Sequence, residues 1–191
     1  MRRLIAIAFA GLLLAACASR GPAAKPPVEL PRLHLAPAAL GREISEQQQL
    51  TFRHGTKERE LDALLEVDAG EVRLLVQAMG QSGVRLSWDG KKLAEQRAPW
   101  LPPAVRGGRV LDDLQFALWP LDSIRKALPA GWHVEEIDGE RRLSDAESNV
   151  WLTSKLESSL GWIVLDNRAE DYELIVHFPR TDLPPMPEAS P

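Results

Sequence analysis

Few side chains in this sequence are arranged to do chemistry, and the clearest of them is a thiol. Cys17, the single cysteine, follows Leu14-Ala15-Ala16 and closes an apolar run from Leu4 to about Leu14 that opens with Arg2 and Arg3. A basic start, an apolar middle and small residues before a cut compose a secretory leader. A cysteine directly after the cut makes it a lipobox: the thiol takes a diacylglyceryl group, the bond before it is cleaved, and the new amine is acylated. The run is shorter than the roughly 20 residues that cross a hydrocarbon core. Residues 1–16 are therefore expected to be a lipoprotein signal peptide and Cys17 the lipidated anchor, several acyl chains holding where one would hold only reversibly. Ala18 and Ser19 follow the cysteine where Asp would retain the protein at the inner membrane, so the expected site is the outer membrane, lipid-anchored and facing the periplasm.

Other reactive types lack partners at useful spacing. Gly80-Gln81-Ser82-Gly83 has the wrong spacing for a nucleophile elbow and no strand-to-helix setting, and reads as a hairpin loop. His34, His54, His133 and His177 are scattered, with no pair at ligand spacing, so neither a metal site nor a cofactor is expected. Asp112-Asp113 and Glu135-Glu136 read as solvated faces or a helix start, where Asp112 and Asp113 would favour the helix dipole. No catalytic residue is expected, and the chain does not read as an enzyme.

The formal charge is −4, and removing Arg2 and Arg3 makes it more acidic, which argues against nucleic acid as a partner. With its one thiol given to lipid, the mature chain has no disulfide, and its stability must come from burial.

The elements that would position a site follow from periodicity. Residues 17–39 are Ala/Pro-rich, with Pro22, Pro26, Pro27, Pro31 and Pro37, and read as an extended tether. Residues 179–191 read as a disordered Pro-rich tail. Between them, period-two stretches predict strands at Glu43–Arg53, Lys57–Val67, Val72–Ala78, Val84–Trp88 and Lys92–Arg97. Residues 109–128 then switch to three- and four-residue steps and predict a helix, kinked or split at Pro120. Strands resume at Trp132–Ile137, Glu140–Leu143, Asn149–Glu157, Leu160–Leu165 and Tyr172–Phe178. One-sided strands need a cover, and one helical element suffices. The expected fold is mainly β: a curved, antiparallel, half-open barrel of nine or ten strands with a mid-chain helical plug or lid.

That order resembles the LolA/LolB superfamily of periplasmic lipoprotein carriers and receptors. More specifically, Leu111-Asp112-Asp113-Leu114-Gln115-Phe116-Ala117-Leu118-Trp119-Pro120-Leu121 followed by Leu128-Pro129-Ala130-Gly131-Trp132 is similar to the signature of a proteobacterial lipoprotein family, domain of unknown function 3261. Met79-Gly80-Gln81 and Leu86-Ser87-Trp88-Asp89-Gly90 fit it too, although Ala78-Met79-Gly80 departs from a more usual Pro-Leu-Gly-like turn. The resemblance covers about residues 40–178. It implies a half-barrel that holds acyl chains under a helical lid. Its members often accompany gene clusters for aryl polyene lipids, which implies carriage or placement of a hydrophobic product.

Leu74, Leu86, Trp88, Leu114, Leu118, Trp119, Leu165 and Leu174 are the candidate cavity wall, although periodicity does not separate a wall from a filled core. Trp100 and Leu101, in a Pro-rich loop ahead of the helix, are candidates for contact with a membrane or a cavity mouth. Two functions follow as expectations. One is an outer-membrane lipoprotein that binds or transfers an acyl-chain-like ligand, with a periplasmic or inner-membrane transfer partner. The other is a scaffold lipoprotein with a filled core that supports a membrane complex.

Overall fold

The computed structural model describes residues 28–101, 106–157 and 161–178. The expectations for the leader, Cys17 and the C-terminal tail lie outside these residues, as do Pro102 and Pro103.

Ten strands form one antiparallel sheet. The first meander is β1 (Ile44–His54), β2 (Lys57–Val67), β3 (Val72–Ala78), β4 (Gln81–Trp88) and β5 (Leu93–Arg97). The second is β6 (His133–Ile137), β7 (Glu140–Ser144), β8 (Val150–Glu157), β9 (Trp162–Asn167) and β10 (Tyr172–His177). Pairing of β1 with β10, from Gln49 opposite His177 to His54 opposite Tyr172, joins the meanders. The strand order β5-β4-β3-β2-β1-β10-β9-β8-β7-β6 leaves β5 and β6 as edges that do not meet. The expected half-open barrel is the observed fold.

The helical element has the expected break. Helix α1 runs Gly107–Leu118 and α2 runs Leu121–Ala127, with Pro120 between them as the N-cap of α2. Proline lacks the donor that a continuous helix would need there, and its fixed φ suits a helix entry. Helix α1 lies within the curve and touches β4 and β5 on one side and β8 and β9 on the other. Its carboxyl end is held by Arg141 of β7, whose guanidinium donates to the carbonyls of Phe116, Ala117 and Trp119 at 2.8, 3.1 and 2.8 Å. A cation there also complements the helix dipole.

The expected tether boundary at residue 39 moves. Residues 28–40 are not spacer but a strap across the inside of the barrel, with Leu30, Leu33, Leu35 and Leu40 all buried and a 3-10 turn at Pro37–Leu40. The physical reason is a set of long-range hydrogen bonds. Trp88 Nε1 and Gln115 Nε2 donate to the Leu35 carbonyl at 2.7 and 2.8 Å, and Trp119 Nε1 donates to the Ala36 carbonyl at 3.0 Å. Leu35 N–H donates to Gln115 Oε1 at 2.9 Å, and Leu33 N–H donates to Asp112 Oδ1 at 3.0 Å. These bonds satisfy the polar backbone of the strap where water is excluded, so burial of its leucines is not offset by stranded amides.

Candidate functional site

The strap divides the barrel interior. Along β2, inward-facing Leu65 and Val67 are 0% and 2% exposed beneath it, whereas Leu61 and Ala63 on the same face border an open cavity. The same change occurs along β4, where Leu86 and Trp88 are sealed and Val84 borders the cavity. The registers Leu61 opposite Leu50, Ala63 opposite Val76 and Val76 opposite Val84 carry this boundary across adjacent strands. Beyond it, β1 contributes Leu50 and Phe52, and β10 contributes Leu174 and Val176.

The cavity has a volume of about 180 Å³ and an overwhelmingly apolar wall. Of the expected wall residues, Leu74, Leu114, Leu118, Leu165 and Leu174 border it. Leu86, Trp88 and Trp119 do not, and this corrects the expectation. Leu86 and Trp119 are 1% and 0% exposed, and the indoles of Trp88 and Trp119 are spent on the strap carbonyls. Trp100 and Leu101 both border the cavity, and Trp100 is also 40% exposed, so this pair stands where the interior meets the outside. They pack over Gly83, where an added Cβ would come within 3.2 Å of the Trp100 ring and 3.5 Å of Leu101 Cδ1.

A buried polar network interrupts the apolar wall, and Gln48, Arg59, Gln77 and Arg106 also border the cavity. Arg109 Nε donates to Asp113 Oδ1 at 3.0 Å, the Tyr172 hydroxyl donates to Asp113 Oδ2, and Asn167 Nδ2 donates to the Tyr172 oxygen at 3.0 Å. Burial pushes the Asp113 carboxyl up to about 6, against the opposing pull of Arg109 and the Tyr172 hydroxyl. Burial and the adjacent Asp113 also hold the Tyr172 phenol above its ordinary range. For Arg109, burial works downward, but the carboxylates of Asp113 and Asp112 outweigh it and raise the guanidinium.

The pair Asp112-Asp113 is thus not the solvated helix start that its composition suggests. Helix α1 begins two residues earlier than the predicted start, which takes both residues out of its first turn, and both carboxyls are buried at 0% and 5% exposure. Asp112 receives Arg32 Nη1 at 3.2 Å, and Asp113 receives Arg109. Two cations answer two anions, so the network offers the cavity an internally paired wall. Among the described residues no buried side-chain polar atom lacks a partner, and no three His, Cys, Asp or Glu residues gather to hold a metal ion. His34 stacks on Trp88 and His177 lies edge-on to Trp162, each with ring centres 5.1 Å apart. No helix among these residues is long and apolar enough to cross a membrane.

Sequence reasoning missed the strap, Tyr172 as a partner of Asp113, and Arg109. The usable signals were the leucines within the Pro-rich stretch and the Arg109/Asp113 spacing of four, which places both on one helix face.

Comparison with known proteins identifies a family. No curated protein matches the chain. Among solved structures it is similar to a DUF1329 family protein from Desulfovibrio piger, with 7% identity, 78% of this chain and 89% of that one covered, and a TM-score of 0.33, too low to carry an argument. The family described as "Protein of unknown function (DUF3261)" matches residues 45–178, most of the sheet and both helices, and the chain belongs to that family.

Proposed function

We propose that this protein is a non-enzymatic carrier or receptor that takes an acyl-chain-like, uncharged group into the open end of its half-barrel. The supporting observation is the cavity itself: an apolar space of about 180 Å³ beneath Trp100 and Leu101, in a barrel whose other end is solid. An apolar cavity of similar size, roughly 150 Å³, stays dry and accepts a small aromatic ring. Each methylene moved out of water into it contributes about 0.8 kcal/mol before association costs. The buried part of the wall supports an apolar occupant, because its charged groups Arg109 and Asp113 are paired with each other.

In this reading Cys17 is acylated and holds the domain at the periplasmic face of the outer membrane. The half-open barrel with a helix inside its curve suits the LolA/LolB resemblance, and a periplasmic or inner-membrane partner would deliver or receive the cargo. The open cavity disfavours the rival scaffold reading, which needs a filled core. Mass spectrometry of organic extracts from the natively purified protein tests this. A co-purifying lipid or polyene is expected; repeated preparations free of any hydrophobic ligand would contradict it.

A further inference from the structure

A second concavity lies beside the cavity and, unlike it, is lined mostly by charged side chains, with Leu93 among them. It is an open groove of about 650 Å³ between the strap, β5 and the amino end of α1, bordered by Arg32, His34, Glu95, Arg97, Arg106 and Gly108. Its own lining carries three guanidiniums and one carboxylate, with the carboxylates of Asp112 and Glu170 set behind Arg32 and Arg106 as their ion-pair partners.

The local structure holds these groups together. Glu95 is engaged by the helix start, its Oε1 accepting the Gly107 N–H at 2.7 Å and capping α1. A Cβ at position 108 would come within 2.3 Å of Arg32 Nη1, so glycine there lets the strap arginine close over the helix start. Arg97 donates to the Leu101 carbonyl at 2.5 Å, tying the groove to the loop at the cavity mouth. Arg32 pairs with Asp112 and Arg106 with Glu170 at 2.8 Å. A guanidinium carries five N–H donors in a fork, so one ion pair leaves Arg32 and Arg106 able to hold a second oxyanion.

Arg106 borders both the groove and the apolar cavity, so the two lie side by side with this arginine as their shared wall. We propose that the groove binds the anionic carboxylate or phosphate headgroup of an amphiphile whose chain occupies the cavity. The inference rests on the carrier reading and narrows its ligand class to anionic, single-headed amphiphiles.

Calorimetric titration of the full chain with dodecanoate, dodecyl phosphate, dodecanol and inorganic phosphate, at neutral pH and low salt, separates the possibilities. Charge-assisted hydrogen bonds should make both anionic amphiphiles bind about tenfold or more tightly than dodecanol. That preference should shrink with added salt and collapse in Arg106→Gln and in Arg32→Gln, a ratio that general loosening of the fold would not move. Equal affinity for dodecanol and dodecanoate would overturn the headgroup proposal while leaving the carrier reading intact. Inorganic phosphate binding as tightly as dodecyl phosphate would also overturn it, by making the groove a free-anion site. Failure of all three chain compounds to bind would remove the carrier reading and this inference with it.

Discussion

The two ends of the barrel are built from the same strands and the same helix, yet one is packed solid and the other is open. At the closed end, the strap lays Leu35 and Leu40 among Val67, Val72 and Trp88, and Phe116 of α1 and Trp119 just beyond it are both fully buried. At the open end, Leu114 and Leu118 of the same helix face a cavity across from Leu50, Leu74 and Leu174. Hydrophobic type does not distinguish the two, because both faces carry large apolar side chains at the same period. A thirteen-residue strap, fixed by indole and amide hydrogen bonds to its carbonyls, fills one end and stops short of the other.

Substitutions at the carboxyl end of α1 and at Trp119 just beyond it should expose that difference most strongly. Trp119→Ala should cost about 3–5 kcal/mol of unfolding free energy, because it empties a sealed site and strands the Ala36 carbonyl. Leu118→Ala, one residue earlier but facing existing space, should cost less, about 1–2 kcal/mol, since it enlarges a cavity that is already there. Urea unfolding of both variants measures the gap; equal costs would mean that the ends are not packed differently.

Acidity probes the network at the boundary. The folded chain holds the Asp113 proton up to about pH 6, whereas an unfolded aspartate releases it near 3.9. Stability should therefore fall as pH rises from about 4 to about 6, by on the order of 3 kcal/mol, and be level above that from this group. Asp68, Asp89 and Asp145, whose carboxyls are held below their ordinary value by hydrogen bonds, act in the opposite sense and at lower pH. The difference in unfolding free energy between the wild type and Asp113→Asn, followed from pH 4 to pH 7, isolates the Asp113 contribution. A pH-independent difference would place the carboxyl in a more solvated setting.

The smallest effect on stability should come from filling the open end. Ala63→Phe places a ring in existing space and should change unfolding free energy by less than about 1 kcal/mol, while displacing any apolar ligand. The converse overfilling at the closed end, Val72→Phe, should cost about 1–3 kcal/mol. A large loss from Ala63→Phe would show that its neighbours have no room to give.

Much of this was legible in the sequence, and what was not had a common cause. One-sided strands such as Lys57–Val67 announce themselves because every second residue from Leu61 to Val67 is apolar, and Pro120 announces the helix break through its missing donor. The strap was hidden because its leucines have no regular period and sit among prolines, and its partners Asp112, Gln115 and Trp119 lie about eighty residues away in the chain. The misplacement of Trp88 and Trp119 follows from the same omission: without the strap, nothing in the sequence says which end of an apolar face is covered. Asp112 and Asp113 were misread for a related reason, since only the arginines from the strap and from α1 make burial of two adjacent carboxylates tolerable.

The central claim, that the end beneath Trp100 takes a hydrophobic chain and the end beneath the strap does not, is tested most directly by photo-crosslinking. A fatty acid carrying a diazirine near the end of its chain would be irradiated with the protein, and the labelled peptides identified by mass spectrometry. The account predicts labels on the peptides bearing Trp100, Leu114 and Leu174, competed away by unlabelled fatty acid. Labels on the Leu35, Trp88 or outer-face peptides instead, or labelling that competitor does not reduce, would contradict it.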